Sequence, residues 1–401
     1  MRRRKIKKNK PMFKRKRSAA RTAVNVILVI ILLSGIAFLG YSVGKPIMEF
    51  MHGREDRQTN VQNDLPDVTE PTTAPTTASE ETDAPPATTD PEPPAAELGN
   101  RILFVTVPAD GSFDDYLDQR IIYAAENGYY GIAIELLADG GRILYNTANE
   151  RAVNASAVSE NAILDLSEAA QRISDAGLLP YARISMLTDH ILCRLDKSVC
   201  YLFENSTSSW YDNNAANGGK PWMSAFSESA REYISDIVIE ISDAGFAGII
   251  AGEIIFPPFR NSDLNYIGAI VKAADRYTAL TGFSNAVQDA LGSAKSYAVE
   301  INAQDILTSK AEVLSDPSAL NCNTIYVRYD SEAVGQRIVK SDASEVSDAG
   351  LSESDKVTVV FRSVADSLSG SGKTIIPAVS DEALIPTLVS LGYDEQMILV
   401  Y

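Results

Sequence analysis

The sequence predicts an α/β fold, a closed parallel barrel of eight β/α units, preceded by one membrane-spanning helix and an unstructured linker. Three observations carry that expectation. Residues 22–44 form a stretch without a charge, residues 61–97 are dominated by proline, threonine and acid, and beyond residue 100 one helix–glycine–strand pattern keeps recurring. With 401 residues, 45% of them apolar, the chain is long enough for one large domain with appendages and too apolar to be wholly disordered.

The amino-terminal tail, residues 1–21, holds twelve Lys or Arg and no acid. Read alone it suggests a nucleic-acid partner. The remainder of the chain sums to −29, however, and would repel a polyanion, so nucleic acid is not an expected partner. The tail runs directly into TAVNVILVIILLSGIAFLGYSVG at 22–44. At about 1.5 Å per residue such a helix reaches roughly 34 Å, enough for a hydrocarbon core of about 30 Å. A cleaved signal peptide is the competing reading, but the run exceeds the usual apolar region of one and no A-x-A-like site follows. The preceding cations predict a cytoplasmic amino terminus, with everything after about residue 45 outside the cell.

Residues 45–99 read as a linker. Between 61 and 97 lie eight prolines, eight threonines, nine acids and no base. That composition cannot bury a core, and it favours extended polyproline II stiffened by charge repulsion, reaching on the order of 100 Å.

The folded domain is expected over 100–401, with a net charge of −20. Gly128, Gly177, Gly245 and Gly392 each follow a helical pattern and precede a short Ile/Val/Leu-rich run, where a helix C-cap favours a left-handed residue. Helical period is carried by Ala230, Tyr233, Ile234, Ile237, Val238, Ile241 and Ala244, and by Ile163, Leu166, Ala170, Ile173 and Ala176. Strands are expected at 101–107, 131–137, 179–185, 248–255, 296–302, 323–329, 373–379 and 397–401. Eight such runs, mostly separated by helices, fit a closed parallel barrel, with a doubly wound open sheet as the alternative.

The segments GYYGIAIELLADGGRILYNT, LLPYARISMLTD and KPWMSAFSESAREYISDIVIEISDAGFAGIIAGEIIFPP carry a resemblance. In order and spacing the domain resembles a bacterial family of predicted glycoside hydrolase TIM-barrel domains, known mostly as a domain of unknown function and often membrane-anchored. The resemblance implies a polysaccharide or peptidoglycan partner; with only two histidines and three cysteines in the chain, no cofactor is expected. It also exposes departures. After the second strand the family has an acid followed by Lys, Asp and Gly, whereas Glu135, Leu137, Asp139 and Gly140 stand here without the Lys. Ser224, Ala225 and Phe226 replace an Asp-Pro-Tyr. At the fourth strand Gly252 and Ile255 occupy the positions of an Asp and an Arg, and Glu253 is offset by one, which on a regular strand points to the opposite face.

Hydrolysis of a glycosidic bond normally needs two carboxyl groups, and in a barrel they come from the carboxyl ends of strands. Glu135, Glu253 and Asp330 have that placement, with Glu300 inside the fifth strand. Chance is the competing explanation, because the domain has 41 acids. Arg183, at the end of the third strand, is suited to hold a carboxylate or an acidic substrate, and Asp139 joins it as a candidate substrate ligand. The loop 186–226 contains Trp210, Tyr211 and Trp222, whose flat faces suit sugar rings, or alternatively pack over the barrel. Asp189 and His190 lack a nucleophile motif and read as loop polar residues.

Two motifs are set aside. GSGKT at 370–374 lacks the first glycine of a phosphate loop and leads from helix to strand, the reverse of the required context. Cys193 and Cys200 could pair outside the cell, leaving Cys322, or all three could be buried thiols. No metal cluster emerges. The expected function is a membrane-anchored extracellular barrel that acts on or binds polysaccharide; the alternative is an inactive barrel that binds glycan or scaffolds the envelope.

Overall fold

The computed structural model describes residues 101–401, apart from positions 110–111, 261, 264–265, 268–270, 272–274 and 309–312. The predicted tail, membrane helix and linker at 1–99 lie outside the described residues. Among the described residues no helix is long and apolar enough to cross a membrane.

Twelve strands are described: β1 (Ile102–Val105), β2 (Gly131–Ala138), β3 (Arg142–Tyr145), β4 (Val158–Ile163), β5 (Leu179–Ser185), β6 (Gly248–Gly252), β7 (Ser296–Asn302), β8 (Thr324–Arg328), β9 (Arg337–Val339), β10 (Glu345–Ser347), β11 (Thr374–Val379) and β12 (Leu399–Val400). Strands β1, β2, β5, β6, β7, β8, β11 and β12 pair in parallel in that order, and β12 returns to β1. The sheet is therefore closed, an eight-stranded TIM-like barrel, and the open-sheet alternative falls.

The helices that cross between these strands include α1 (Phe113–Glu126), α2 (Leu166–Asp175), α3 (Glu228–Asp243), α4 (Arg276–Leu291), α5 (Ala303–Thr308), α6 (Glu353–Ser367) and α7 (Ile385–Ser390). Side-chain oxygens start several of them. Ser112, Asp165, Ser227 and Asp275 each accept from a first-turn amide, and Ser352 and Asp355 form a reciprocal capping box. Helix α3 buries Ala230, Tyr233, Ile234, Ile237, Val238 and Ile241, the stripe expected from its period. The four glycines expected to end helices do sit at positive φ, between 70° and 103°.

Two differences from expectation have local causes. Ile163 closes β4, and Asp165 caps the next helix, so α2 begins at Leu166 instead of 163. The chain also makes an excursion between the second and third barrel strands. It turns back at Gly140 and Gly141, both at positive φ, so that β3 runs antiparallel to β2 and then pairs with β4. The period-2 signal could not show that β3 and β4 stand outside the barrel ring.

The interior is filled from alternate strands. Ala133, Tyr181, Ile250, Ala298, Tyr326, Ile376, Ala378, Leu399 and Ile102 form one buried cluster. Alanines and large side chains together fill it, every member fully buried, so the centre is packed. A larger apolar cluster includes buried side chains of the crossover helices and of the sheet. Because side chains alternate along a strand, the next inward positions toward the carboxyl ends are Phe104, Glu135, Arg183, Gly252, Glu300 and Arg328. The packed apolar layer is thus roofed by a charged one.

Candidate active site

Arg183 is the centre of that charged layer, with only 4% of its surface exposed. Its Nη1 donates to Glu135 Oε1 at 3.0 Å and its Nη2 to Glu300 Oε1 at 3.0 Å. Nη2 also lies 3.5 Å from Glu253 Oε1. Arg328, from β8, meets two of the same acids, with Nη2 3.4 Å from Glu253 Oε1 and Nη1 3.5 Å from Glu300 Oε1. Three glutamates and two arginines from the carboxyl ends of β2, β5, β6, β7 and β8 therefore share one network.

Burial and charge act differently on its members. Burial pushes the carboxyls of Glu135 and Glu253 above the usual range. Arg183 opposes the rise at Glu135, whereas Arg328 and Arg183 both oppose it at Glu253; the charges of Glu300 and the exposed Asp139 reinforce it at both. Burial also works against the charge on Arg183, but Glu300, Glu135 and Glu253 outweigh it and hold the guanidinium above its ordinary value.

The position of Glu253 depends on a backbone detail. Strand β6 ends at Gly252, three residues before the expected 255, because Glu253 adopts φ 52°. A left-handed residue breaks the strand alternation, so a side chain that a regular strand would turn away reaches the two arginines instead. For a non-glycine residue that conformation costs on the order of 1–3 kcal/mol. Gly252 is the complementary half: a Cβ built there would lie 2.9 Å from Arg183 Nη2 and 3.2 Å from Cζ. The space of a side chain at 252 is thus taken by the guanidinium. Gly252→Ala is expected to lower stability by about 1–3 kcal/mol through this overlap. A shift in urea midpoint at unchanged m-value would show it; a wild-type midpoint would mean that Arg183 moves freely.

The other candidates fall elsewhere. Asp330 is not in the network: its Oδ1 accepts from the amides of Glu332 and Ala333 and caps the short helix Ser331–Val334. Trp210 is corrected as a sugar platform, since it is 1% exposed and packed against Tyr201 and Phe259 in the core of the loop. Tyr211 is exposed at 43%. Trp222 is half-buried, donates from Nε1 to Asp212 Oδ2 at 3.0 Å, and meets His190 edge-on. His190 is itself buried, its Nδ1 2.7 Å from Pro221 O, and burial lowers its pKa. Burial pushes Asp189 up to about 7, although its Oδ1 accepts from the amides of Ile191 and Leu192. Cys193, Cys200 and Cys322 are free, buried thiols. Arg328 carried no motif in the sequence; its only signal was its place at the end of the sixth barrel strand. Glu300 had the same signal, and its burial against two cations followed only from barrel closure.

A family model described as "Putative glycosyl hydrolase domain" matches residues 103–319. Among solved structures, the glycoside hydrolase domain of PgaB (BpsB) from Bordetella bronchiseptica aligns with TM-score 0.52 at 13% identity, covering 75% of this chain and 93% of that one. The glycoside hydrolase domain of PelA from Pseudomonas aeruginosa aligns with TM-score 0.40 at 13% identity, over 74% and 92%. A hypothetical protein from Ruminiclostridium thermocellum ATCC 27405 gives TM-score 0.42 at 16% identity, over 49% and 96%. Such identities speak to the fold alone. No curated protein matches the chain.

Proposed function

The chain belongs to the glycosyl hydrolase domain family whose model spans its residues 103–319, and from that premise we propose that its barrel mouth cleaves a cell-envelope or external polysaccharide. The observation that supports this most is the sharing of one buried guanidinium by Glu135 and Glu253. Both carboxyl groups lie within 3.5 Å of that guanidinium, so two acids meet at the barrel mouth, as paired-carboxylate hydrolysis requires. Glu253 faces two arginines, whose charge favours its ionised form against burial, and takes the role of nucleophile or base. Glu135 faces one, is raised by burial, and is suited to hold the proton that the leaving oxygen takes. Glu300 is the buried charge that fixes both arginines.

In the same reading, residues 22–44 anchor the chain in the membrane, the linker 45–99 spaces the barrel outward, and the barrel works outside the cell. A second reading keeps the anchor but makes the barrel an inactive glycan binder or envelope scaffold. Gly252 and Ile255, standing where the resembling family has an Asp and an Arg, favour it. The test is to incubate the full-length protein with a panel of polysaccharides and peptidoglycan, scoring new reducing ends and retention separately. Cleavage upholds the first reading; retention without cleavage upholds the second. Neither outcome on any substrate would reject both.

A further inference from the structure

Beside the glutamate network lies a cavity of about 220 Å³. It is bounded by the ends of β6, β7 and β8, and two of its lining residues, Ile255 and Val313, pair as an isolated antiparallel bridge. One part of its lining is apolar, including Ile255, Val313 and Leu314, and the other is polar, including Asn302, Asp305 and Arg328 with Glu253 and Glu300. At about 30 Å³ per water the space equals roughly seven waters. Pockets for larger ligands run to about 300–1,000 Å³.

We infer that this cavity binds one sugar ring at the end of a chain, so that the barrel removes single terminal residues instead of cutting within the polymer. The inference rests on the polysaccharide reading above and names the part of the substrate that the site takes. A pyranose ring has an apolar C–H face and a rim of hydroxyls. The first matches the isoleucine, valine and leucine wall, and the second supplies donors to the carboxylates. Arg328 adds a specific request: its Nε is buried without a hydrogen-bond partner, a cost of about 1–3 kcal/mol unless an acceptor arrives. A ring or hydroxyl oxygen is such an acceptor. An anionic ligand is disfavoured by Glu253, Glu300 and Asp305 on the same wall, and a purely apolar one would strand the carboxylates.

The test uses the full-length chain in detergent micelles and saturation-transfer NMR with glucose, galactose, glucosamine, N-acetylglucosamine and glucuronic acid, beside tetrasaccharides of each. At least one free hexopyranose is expected to bind, competed by its own tetrasaccharide. Val313→Phe, which fills the half-buried edge of the cavity, should weaken that binding at least tenfold. Should this variant not fold by circular dichroism, Asn302→Ala serves in its place with the same expected loss. The inference is overturned if no hexopyranose binds, if only tetrasaccharides bind, or if a folded variant binds as wild type does. End-labelled oligosaccharides then separate the two levels of the argument. Release of single sugars supports the inference, and internal fragments overturn it. A chain that binds one ring and cleaves nothing upholds the single-ring site but overturns its exo action, together with the hydrolysis on which that action rests.

Discussion

Arg183→Met is expected to destabilise the barrel by about 3–5 kcal/mol, the usual cost of removing one partner from a buried charge network. Glu300, whose side chain is only 3% exposed, would lose its closest cation, and Glu135 and Glu253 would lose a charge that offsets their repulsion from Glu300. The loss should depend on pH in a defined direction. Without the guanidinium, the folded-state carboxyl values rise further above the ordinary value of 4.5. A carboxyl with a raised folded value favours folding at acid pH and loses that contribution as pH climbs from 4.5 through the folded value. The variant should therefore approach wild-type stability toward pH 4 and diverge from it near neutrality. Urea titrations at several pH values would show this, and a pH-independent deficit would mean that packing, not charge, sets the role of Arg183. Pairing Arg183→Met with Glu300→Leu should recover part of the loss, as removing both partners of a buried pair is far less costly than removing one.

Glu253→Gln is expected to lower cleavage by at least about 10²–10⁴-fold while leaving the fold intact. Glutamine keeps the shape but cannot serve as an ionised nucleophile or base. Glu253→Gly is the informative companion. Glycine accepts the φ of 52° without strain, which offsets part of the stability lost with the carboxylate facing Arg183 and Arg328, and this variant should be as inactive as the glutamine one. Retention of cleavage in both would sink the assignment of Glu253. In the active protein, the rate should fall on the acid side as Glu253 takes up a proton and on the alkaline side as Glu135 gives one up. Since burial raises both, the profile should be centred above the ordinary carboxyl range.

The strand pattern was legible with little error. β5 and β7 occupy the residues that their apolar runs delimit, and β2 runs one residue longer. β2 and β5 each follow closely on a left-handed glycine, Gly128 and Gly177, and such local chemistry is written in consecutive residues. The excursion through β3 and β4 was not legible, because strand period says nothing about which neighbour a strand finds.

For the site, the sequence alone determined which acids stand at strand ends and that Arg183 accompanies them. It left Glu253 pointing the wrong way, left Trp210 open between a sugar-facing surface and packing, and left Arg328 without a role. Only the tertiary structure decided these points. A side chain's direction at the end of β6 turns on a single φ angle. The burial of Trp210 comes from the loop folding on itself, and the charges of five strands become neighbours only when the sheet closes and stacks their inward positions in one layer.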